Sequence, residues 1–302
     1  MAEVVKQFPV EKEYEKNPDI TPEDIRKLRE WLKAQPHLPG EHLDDLDLVI
    51  IFHCCDNSAE VSKQVLDLHF TLRTLITAFF KGREVNQRVE QSLYTVLFAP
   101  LPVSTVHGYR AMYVRLIDPD ARNFNFADTV KTLMMAFDLW QYEEGTWPGF
   151  VLIIDMDMTT LGHIAKLDLM TIKQVLFFLQ ECMLVRLKGV HFLNAPFFMD
   201  KVMMLLKPFM KKSLLDILHI HQPNSEALYE YIPKKAFPKE EGGEHKDHNS
   251  LRDEMIERLK VNKQFFKDES LRRVNEALRP GGKATVEDLF GIQGSFKKLD
   301  ID

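Results

Sequence analysis

Two carboxylates and a histidine that follow an apolar run are the first residues in this sequence whose types suggest chemistry. Asp155 and Asp157 close the run, and His163 lies in the next segment. A carboxylate near a histidine is the arrangement of a general acid and base, and α/β folds often hold such groups at the carboxyl end of a strand. We favour the simpler interpretation, in which the carboxylates cap the turn and His163 packs at the start of a helix.

Further histidines lie near residue 220. His219 and His221 flank a single residue, so on a strand they share a face, and His191 on a neighbouring strand would complete a three-nitrogen metal site. Histidines within apolar strands more often form hydrogen bonds with carbonyl or carboxylate groups. We therefore predict no bound metal.

Other catalytic and binding motifs are absent from the sequence. It has no Gly-rich phosphate loop, no dinucleotide-binding fingerprint and no Gly-x-Ser-x-Gly elbow. The adjacent Cys54 and Cys55 and the distant Cys182 have neither the pattern of a disulfide framework nor that of a zinc site. A net charge of −6 argues against nucleic acid as a partner. We predict a protein that is not an enzyme and that needs no cofactor.

Composition and the first residues indicate where the protein works. A chain of 302 residues, 45% hydrophobic and 28% charged, is typical of a globular protein with a large core. The first residues lack an apolar signal segment, and no apolar run is long enough to cross a bilayer without interruption. We expect a cytoplasmic location.

The segment from Phe197 to Leu206 is apolar almost all round, since only Asp200 and Lys201 are polar. A solvated amphipathic helix would need a broad charged face, so this segment must pack in a core or cover something apolar. Methionine and phenylalanine are frequent in the segments around it, and such side chains can line an adaptable cavity. Ordinary core packing is the alternative. We predict a lid over an apolar cavity.

Five basic residues lie on either side of this lid, Arg186 and Lys188 before it and Lys207, Lys211 and Lys212 after it. On a strand Arg186 and Lys188 point to one side, and Lys207 and Lys211 would share a helical face if the helix continued through the proline between them. Such a patch would attract anionic lipid headgroups, with ~1 kcal/mol for each charge. The alternative is a solvated rim.

The order of secondary structure predicts the architecture that positions these residues. Residues 1–85 read as helices, beginning with the capping pattern at Thr21 to Asp24. Strands at 111–117, 150–156 and 187–193 alternate with helices at 126–144 and 169–185, which predicts a mostly parallel sheet covered by helices. A further strand is possible at 216–221. The polar stretch near residue 240 precedes a charged helix at about 250–267, and the predicted domains are 1–85, 86–245 and 246–302.

Four motifs, taken in order, resemble the CRAL-TRIO lipid-transfer family: residues 149–155 with 161–163, 185–196, 206–210 and 232–243. The chain is most similar to the branch of the alpha-tocopherol transfer protein and the cellular retinaldehyde-binding protein. Its insect members have an ending similar to residues 290–299. The resemblance implies an N-terminal three-helix domain, then an α/β domain whose mostly parallel sheet floors an apolar pocket closed by a gate helix at about residues 194–215.

The resemblance also implies which residues meet the ligand and the membrane. Arg186 and Lys188 match basic positions that contact phosphoinositide in the tocopherol branch, whereas the further basic positions fall here on Ser213 and Ile217. The implied pocket wall consists of Thr129, Thr132, Leu133, Ala136, Ile154, Val175, Phe178, Leu179, Met183, Val185, Leu187, Val190, Phe198, Val202, Leu205, Leu206 and Met210.

The polar groups of that wall narrow the expected ligand. The hydroxyls of Thr129 and Thr132 are its only polar side-chain groups, which favours a neutral lipid with one polar end, such as a retinoid, a tocopherol or a carotenoid. We expect a carrier that exchanges this lipid at membranes, whose surfaces could be anionic or contain phosphoinositide. The alternatives are a phosphoinositide or phospholipid transfer protein and a membrane-traffic adaptor of the same fold.

Overall fold

Helices and a five-stranded sheet make up the part of the chain that the computed structural model describes, residues 3–290. The helices are α1 (Val10–Lys16), α2 (Pro22–Lys33), α3 (Asp45–Cys54), α4 (Ala59–Leu75), α5 (Thr77–Phe80), α6 (Gln87–Thr95), α7 (Phe126–Glu144), α8 (Leu161–Ile164), α9 (Leu169–Glu181), α10 (Met199–Leu206), α11 (Lys212–Leu215), α12 (His248–Val261), α13 (Lys263–Glu269) and α14 (Val286–Phe290). The strands are β1 (Val96–Pro100), β2 (Arg110–Leu116), β3 (Phe150–Asp155), β4 (Leu187–Leu193) and β5 (Leu218–Ile220).

The strands follow the order β1-β2-β3-β4-β5 in the sheet, and all pairs are parallel except that β1 runs antiparallel to β2. Helix α7 connects β2 to β3, and α9 connects β3 to β4. These are the crossovers that the alternation of strands and helices predicts. The register places Val114 beside Ile154 and Ile154 beside Phe192. The predicted α/β fold with a mostly parallel sheet is confirmed.

Strand β1 is an element that the sequence does not predict. Val96 follows α6 directly and acts as its C-cap, so no glycine or proline separates the helix from the strand. The strand pairs with β2 through Val96 opposite Leu116 and Phe98 opposite Val114. It adds two more apolar side chains to the sheet face that carries α7.

Polar side chains determine where the crossover helices begin. Asn125 and Asp168 accept backbone hydrogen bonds of 3.0 and 2.8 Å from the first turns of α7 and α9. Helix α7 has the predicted bounds. Helix α9 stops short of the predicted end at residue 185, because the Met183 N–H turns back to the Phe178 carbonyl at 2.8 Å.

The sheet separates two apolar cores. On one face, strand residues such as Ile154 and Phe192 pack against α7, α9 and residues 198–214. On the other face, Tyr113 and Ile153 pack against Phe237 and neighbouring residues of the segment before α12. This two-sided burial explains why the central strands are continuous apolar runs.

The N-terminal helices have a core of their own and also attach to the α/β part. Ile25, Leu28 and Leu32, the apolar stripe predicted for α2, are buried in that core. The carboxylate of Glu13 in α1 is fully buried and accepts a 2.9 Å hydrogen bond from the Thr146 N–H, which follows α7. Because such contacts cross from residues 1–85 into 86–245, the predicted domain boundaries remain predictions.

Four charged side chains with little exposure connect α7 to α4, to the turn after α5 and to α13. Arg73 in α4 and Arg83 after α5 each pair with both Asp138 in α7 and Glu269 in α13, at 2.6 to 2.8 Å. Each of these guanidinium groups therefore meets both carboxylates, and Glu269 also pairs with Arg273 at 2.7 Å. We call these four residues the charge ring. It fixes α7 against helices from both ends of the chain.

The gate segment, residues 194–215, is broken into pieces. The helix α10 ends at Leu206, a single tight turn covers Lys207–Phe209, and α11 forms the last piece. Pro208 has no N–H to continue the α10 hydrogen-bond ladder. The expectation of one gate helix is therefore corrected, and Lys207 and Lys211 do not share a helical face. The predicted closing motif beyond Phe290 lies outside the described residues.

Candidate functional site

A cavity of about 240 Å³ lies between the sheet, α7, α9 and the gate segment. Strand alternation directs every second residue of the sheet into it. Helix α9 contributes residues at positions i, i+3, i+4 and i+7, which is one helical face. The apolar wall consists of Val96, Phe98, Val114, Leu116, Leu152, Ile154, Val190, Phe192, Phe124, Phe126, Val130, Leu133, Met156, Ile164, Leu167, Ile172, Val175, Leu176, Leu179, Val202, Leu206, Met210 and Leu214.

The gate segment is apolar on the face toward the cavity, and its face toward solvent carries large apolar side chains among charged ones. Val202 and Leu206 of α10 border the cavity. On the outer side, the side chain of Phe197 is 92% exposed and that of Met204 is 75% exposed. Asp200 and Lys201 of α10 are exposed as well, so the outer surface combines charged groups with large apolar side chains, which is the character of a surface that lies at a membrane interface.

One side chain of α9 holds the break in the gate segment. Gln180 donates through Nε2 to the Phe209 carbonyl at 2.9 Å, and its Oε1 accepts from the Lys211 N–H at 2.7 Å. The Lys211 ammonium group also pairs with Glu181. These contacts fasten to α9 the part of the gate segment that follows Pro208.

The other end of the gate segment is held by Asp155. Asn194 lies at the end of β4 with a left-handed φ of 49°, and its Nδ2 donates to Asp155 Oδ1 at 2.8 Å. Asp155 also accepts from the Tyr113 hydroxyl at 2.6 Å, from Arg115 at 2.8 Å and from the Asp157 N–H at 2.9 Å. Burial raises the pKa of Asp155, but the hydrogen bonds from Tyr113, Asn194 and the Asp157 N–H, together with the charge of Arg115, lower that pKa below its usual range.

The hydrogen bonds of Asp155 and His163 give both side chains structural roles. Asp155 caps the turn at Asp157, as the simpler interpretation predicts. His163 uses its Nδ1 on Thr160, where it accepts from the backbone N–H at 3.1 Å. It thereby closes the first turn of α8, which is the predicted place for it. Among the described hydrogen bonds none joins Asp155 to His163.

The polar part of the cavity wall differs from the expected one. Thr129 does border the cavity, but the Thr132 hydroxyl bonds to the Asp128 carbonyl at 2.8 Å and lies outside the wall. Thr159 and His163 border it instead, with Arg115 and Asp155 at the strand ends. The side chains of Arg115 and Asp155 point to the opposite sheet face, where they meet Tyr113. The sequence misses His163 as a wall residue because its only signal is its position at a helix start.

The residues predicted for the pocket wall fall into two sets. The structure brings nine of them together around the cavity: Thr129, Leu133, Ile154, Val175, Leu179, Val190, Val202, Leu206 and Met210. The others lie elsewhere: Thr132, Ala136 and Phe178 in the core behind α7, Met183, Val185 and Leu187 at a separate cavity of about 340 Å³ beside Cys54 and Cys55, and Phe198 and Leu205 within the packing of the gate segment. The early end of α9 explains the displacement of residues 183–187.

The five predicted basic residues do not form one patch. Arg186 pairs with Asp56 of the turn after α3 at 3.0 Å, and Lys212 pairs with Asp216 at 2.6 Å. Lys188 is exposed and borders a pocket on the other sheet face together with Tyr109 and His191. Lys207 is exposed in the tight turn that follows α10, and the Lys211 ammonium group pairs with the Glu181 carboxylate.

The three histidines of β4 and β5 do come together. His191 Nδ1 lies 2.9 Å from His221 Nε2, so one ring donates a hydrogen bond to the other. The His219 ring stacks on His191 with centroids 4.6 Å apart. Burial lowers the pKa of His191 to about 4, which keeps that ring neutral.

A sheet-floored apolar cavity under a gate segment is a geometry that suits an apolar ligand. The sequence comparisons agree: residues 98–243 match the CRAL/TRIO domain, and residues 17–89 match the Pinta-like, UBA domain. Residues 98–243 are thus similar to the CRAL/TRIO domain, and they include most of the sheet and the gate segment. Membership in the tocopherol and retinaldehyde branch, and in its insect group, remains a prediction.

Individual relatives are distant. Clavesin-1 from Pongo abelii and from Mus musculus is 24% identical over 233 residues, which cover 76% of this chain and 66% of the relative. Clavesin-2 from Homo sapiens is 22% identical over 233 residues, which cover 76% of this chain and 71% of the relative. The crystal structure of Sfh5 covers 82% of this chain and 99% of its own at 11% identity, with a TM-score of 0.43. That likeness is too distant to bear on function.

Within residues 3–290, no helix combines the length and the apolar character that a membrane crossing requires.

Proposed function

We propose that this protein carries one small neutral lipid in the cavity and exchanges it at membranes through movement of the gate segment. The observation that carries this proposal is the gate segment, which covers the cavity with apolar side chains and exposes further large apolar side chains, among charged ones, on its outer side. Val202 and Leu206 cover the cavity, while Phe197 and Met204 are exposed on the outside. An outer apolar face is costly in water and favourable against acyl chains.

The energetics of release require a membrane. A lipid with ~20 apolar carbons gains on the order of 10 kcal/mol by leaving water, at ~0.8 kcal/mol per methylene before ordering costs. Escape into water would therefore be slow. At a bilayer, the gate segment exchanges protein contacts for lipid contacts, and the cargo passes between two apolar surroundings. The protein would then be cytoplasmic and bind membranes transiently.

The membrane-facing surface would combine apolar and basic groups. The exposed side chains of Leu161, Leu169 and Met170 belong to α8 and α9, whose segment packs against the gate segment. Lys207 adds an exposed positive charge beside them. Anionic headgroups would attract such a surface, with ~1 kcal/mol for each basic residue.

The cavity wall favours a neutral cargo of the retinoid, tocopherol or carotenoid type. A charged headgroup inside the cavity would need a free cationic partner, whereas Arg115 already bonds to Asp155 and Asp157 at 2.8 and 2.6 Å. The same bonds occupy the carboxylates that could serve catalysis, so we propose a binding function without turnover.

The alternative is a phosphoinositide or phospholipid transfer protein, or a membrane-traffic adaptor of the same fold. The observation in its favour is the pocket on the other sheet face, where Lys188 lies beside His191 and His219. Basic and imidazole groups at a pocket mouth suit a phosphate.

Lipid loading tests both functions. The protein is incubated with vesicles that contain retinol, tocopherol, phosphatidylcholine and phosphatidylinositol, re-isolated, and extracted for mass spectrometry. We expect one neutral lipid per chain in the wild type and loss of it in Leu206→Trp, which fills the cavity. Met204→Trp is the matched control, because it adds the same ring to the exposed side of the same helix.

Retention of phospholipid instead would favour the alternative. If the wild type and Leu206→Trp both return free of lipid, the carrier function is wrong.

A further inference from the structure

His163 is held in one tautomer by the backbone. Its Nδ1 lies 3.1 Å from the Thr160 N–H and 2.9 Å from the Thr160 hydroxyl. A backbone N–H can only donate, so Nδ1 must be the acceptor and must carry no proton. A neutral imidazole with an unprotonated Nδ1 has its proton on Nε2. His163 therefore presents an N–H donor on the side away from Thr160.

That donor is buried and lacks a hydrogen-bond partner. The His163 residue is only 2% exposed, and its Nε2 has no hydrogen-bond partner in the described part of the chain. His163 borders the cavity together with Thr159, Ile164 and Leu167. The Phe124 ring packs edge-on against the imidazole, with centroids 5.5 Å apart. An unpaired buried donor is unfavourable, so its presence at a binding cavity requires an explanation.

We propose that the Nε2–H of His163 donates a hydrogen bond to the polar end of the cargo, an uncharged acceptor such as a hydroxyl or carbonyl oxygen. This inference rests on the proposed carrier function and adds the chemical class of cargo. A pure hydrocarbon would leave the donor unpaired.

The remaining wall explains why one donor can decide between cargoes. Nearly all other side chains around the cavity are apolar, and the Thr129 hydroxyl is already used on the Asn125 carbonyl at 2.8 Å. Burial lowers the pKa of His163, so the ring stays neutral. A neutral donor in an apolar wall pairs well with a neutral acceptor and poorly with a carboxylate, whose charge would be left without a counterion.

Two substitutions distinguish the role of Nδ1 as an acceptor from the role of Nε2 as a donor. His163→Asn keeps an acceptor near the position of Nδ1, so it retains the bond from the Thr160 N–H but loses the Nε2 donor. His163→Gln places an amide donor near the position of Nε2 and gives up the acceptor to Thr160. Thr159→Val is the control, since it removes a hydroxyl from the same part of the wall. Circular dichroism checks that each variant folds.

The probes are 1-hexadecanol, hexadecane and hexadecanoate, which share one chain length and differ only at the end. Each is offered as a radiolabelled compound in neutral vesicles, and protein-bound label is measured after separation. We expect the wild type to prefer hexadecanol over both others by roughly tenfold or more, the value of a hydrogen bond to a buried donor. His163→Asn should lose this preference, whereas His163→Gln and Thr159→Val should keep most of it.

The imidazole itself supplies a second readout. In long-range proton–nitrogen spectra, the His163 signals are identified by their loss in His163→Asn. We expect a protonated Nε2 and an unprotonated Nδ1, with Nε2–H shifting when hexadecanol binds and not when hexadecane binds.

The outcomes separate the two proposals. If the wild type retains none of the three probes, the carrier function is wrong and this inference is wrong with it. If the wild type retains hexadecane as well as hexadecanol, or His163→Asn keeps the preference, the carrier function stands and the role of His163 is overturned. Preferred binding of hexadecanoate would also overturn it.

Discussion

The Gln180 side chain accepts a 2.7 Å hydrogen bond from the Lys211 N–H, just past the proline that breaks the gate segment. The same side chain donates to the Phe209 carbonyl at 2.9 Å. One residue of α9 therefore satisfies two backbone groups just after Pro208 that a continuous helix would have satisfied itself. Opening the gate must break both bonds.

Replacement of Gln180 should make the gate easier to open. Gln180→Met keeps the length of the side chain and removes both bonds, so we expect opening to become easier by about 1–3 kcal/mol. Lipid transfer between vesicles, followed by fluorescence, should then be roughly tenfold faster or more. Gln222→Met, at an exposed position outside the gate segment, is the matched control. An unchanged rate in Gln180→Met would show that these bonds do not limit opening.

Two substitutions of Asn194 separate the cost of its left-handed backbone from the contribution of its hydrogen bond to Asp155. Asn194→Ala loses the bond to Asp155 and places an alanine at a φ of 49°, so it should destabilise the fold by about 1–3 kcal/mol. Asn194→Gly loses the same bond but tolerates this φ. Urea unfolding should therefore rank the wild type first, Asn194→Gly second and Asn194→Ala last. Equal stabilities of the two variants would contradict a strained hinge.

The charge ring should be sensitive to the loss of any one member. Glu269→Gln leaves Arg73 and Arg83 with reduced compensation in a buried site, and we expect a loss of about 3–5 kcal/mol in the free energy of unfolding. Glu60→Gln breaks the exposed pair with Lys63 and should cost less than about 1 kcal/mol. Calorimetry of both variants checks the contrast, and equal losses would mean that the ring contributes no more than a surface pair.

Buried neutral histidines predict that the fold weakens in acid. Burial and the charge of Arg73 lower the pKa of His69 to about 3, and burial lowers the pKa of His53 and His191 to about 4. In the unfolded chain these groups bind protons below about pH 6.5. Their contribution is complete above that pH, and stability falls toward pH 4 by up to ~1.4 kcal/mol per pH unit for each histidine.

Urea unfolding between about pH 7 and pH 5 measures this slope. His69→Asn is the informative variant, because the asparagine amide can still donate to the Cys182 carbonyl that His69 Nδ1 meets at 2.7 Å. The free energy of unfolding of His69→Asn should depend less steeply on pH than that of the wild type, by the contribution of one proton, which is up to ~1.4 kcal/mol per pH unit. A slope equal to that of the wild type would mean that His69 is protonated in the folded protein.

Periodicity and turn residues predict the helices and central strands of the α/β part well, because each is long and bounded by clear signals. The helix α7 is an example, with Asn125 at its start and Gly145 at its end. Strand β1 is missed because Val96 continues from a helix without any turn residue. The apolar pattern from Phe197 to Leu206 ends where α10 ends, whereas the single gate helix at about residues 194–215 is what the family resemblance implies and Pro208 interrupts it.

The cavity wall is harder to predict than the fold. Val190 and Leu206 border the cavity as expected, because strand and helix periodicity orient them. Val185 and Leu187 do not, because the early end of α9 changes where the chain enters β4. His163 depends on a tertiary arrangement of α8 that no periodic pattern encodes. Its significance appears only when the partners of both ring nitrogens are known.

The charge ring has a mechanical consequence for the cavity. It braces α7 behind the cavity, whereas the gate segment on the opposite side is held by the Gln180 hydrogen bonds, the Lys211–Glu181 pair and the bond from Asn194 to the Asp155 carboxylate. Gln180, Lys211 and Asn194 are not among the described residues of the cavity wall. Substitutions of these fastening residues should therefore alter how fast a bound molecule leaves, and substitutions of wall residues should alter which molecule fits.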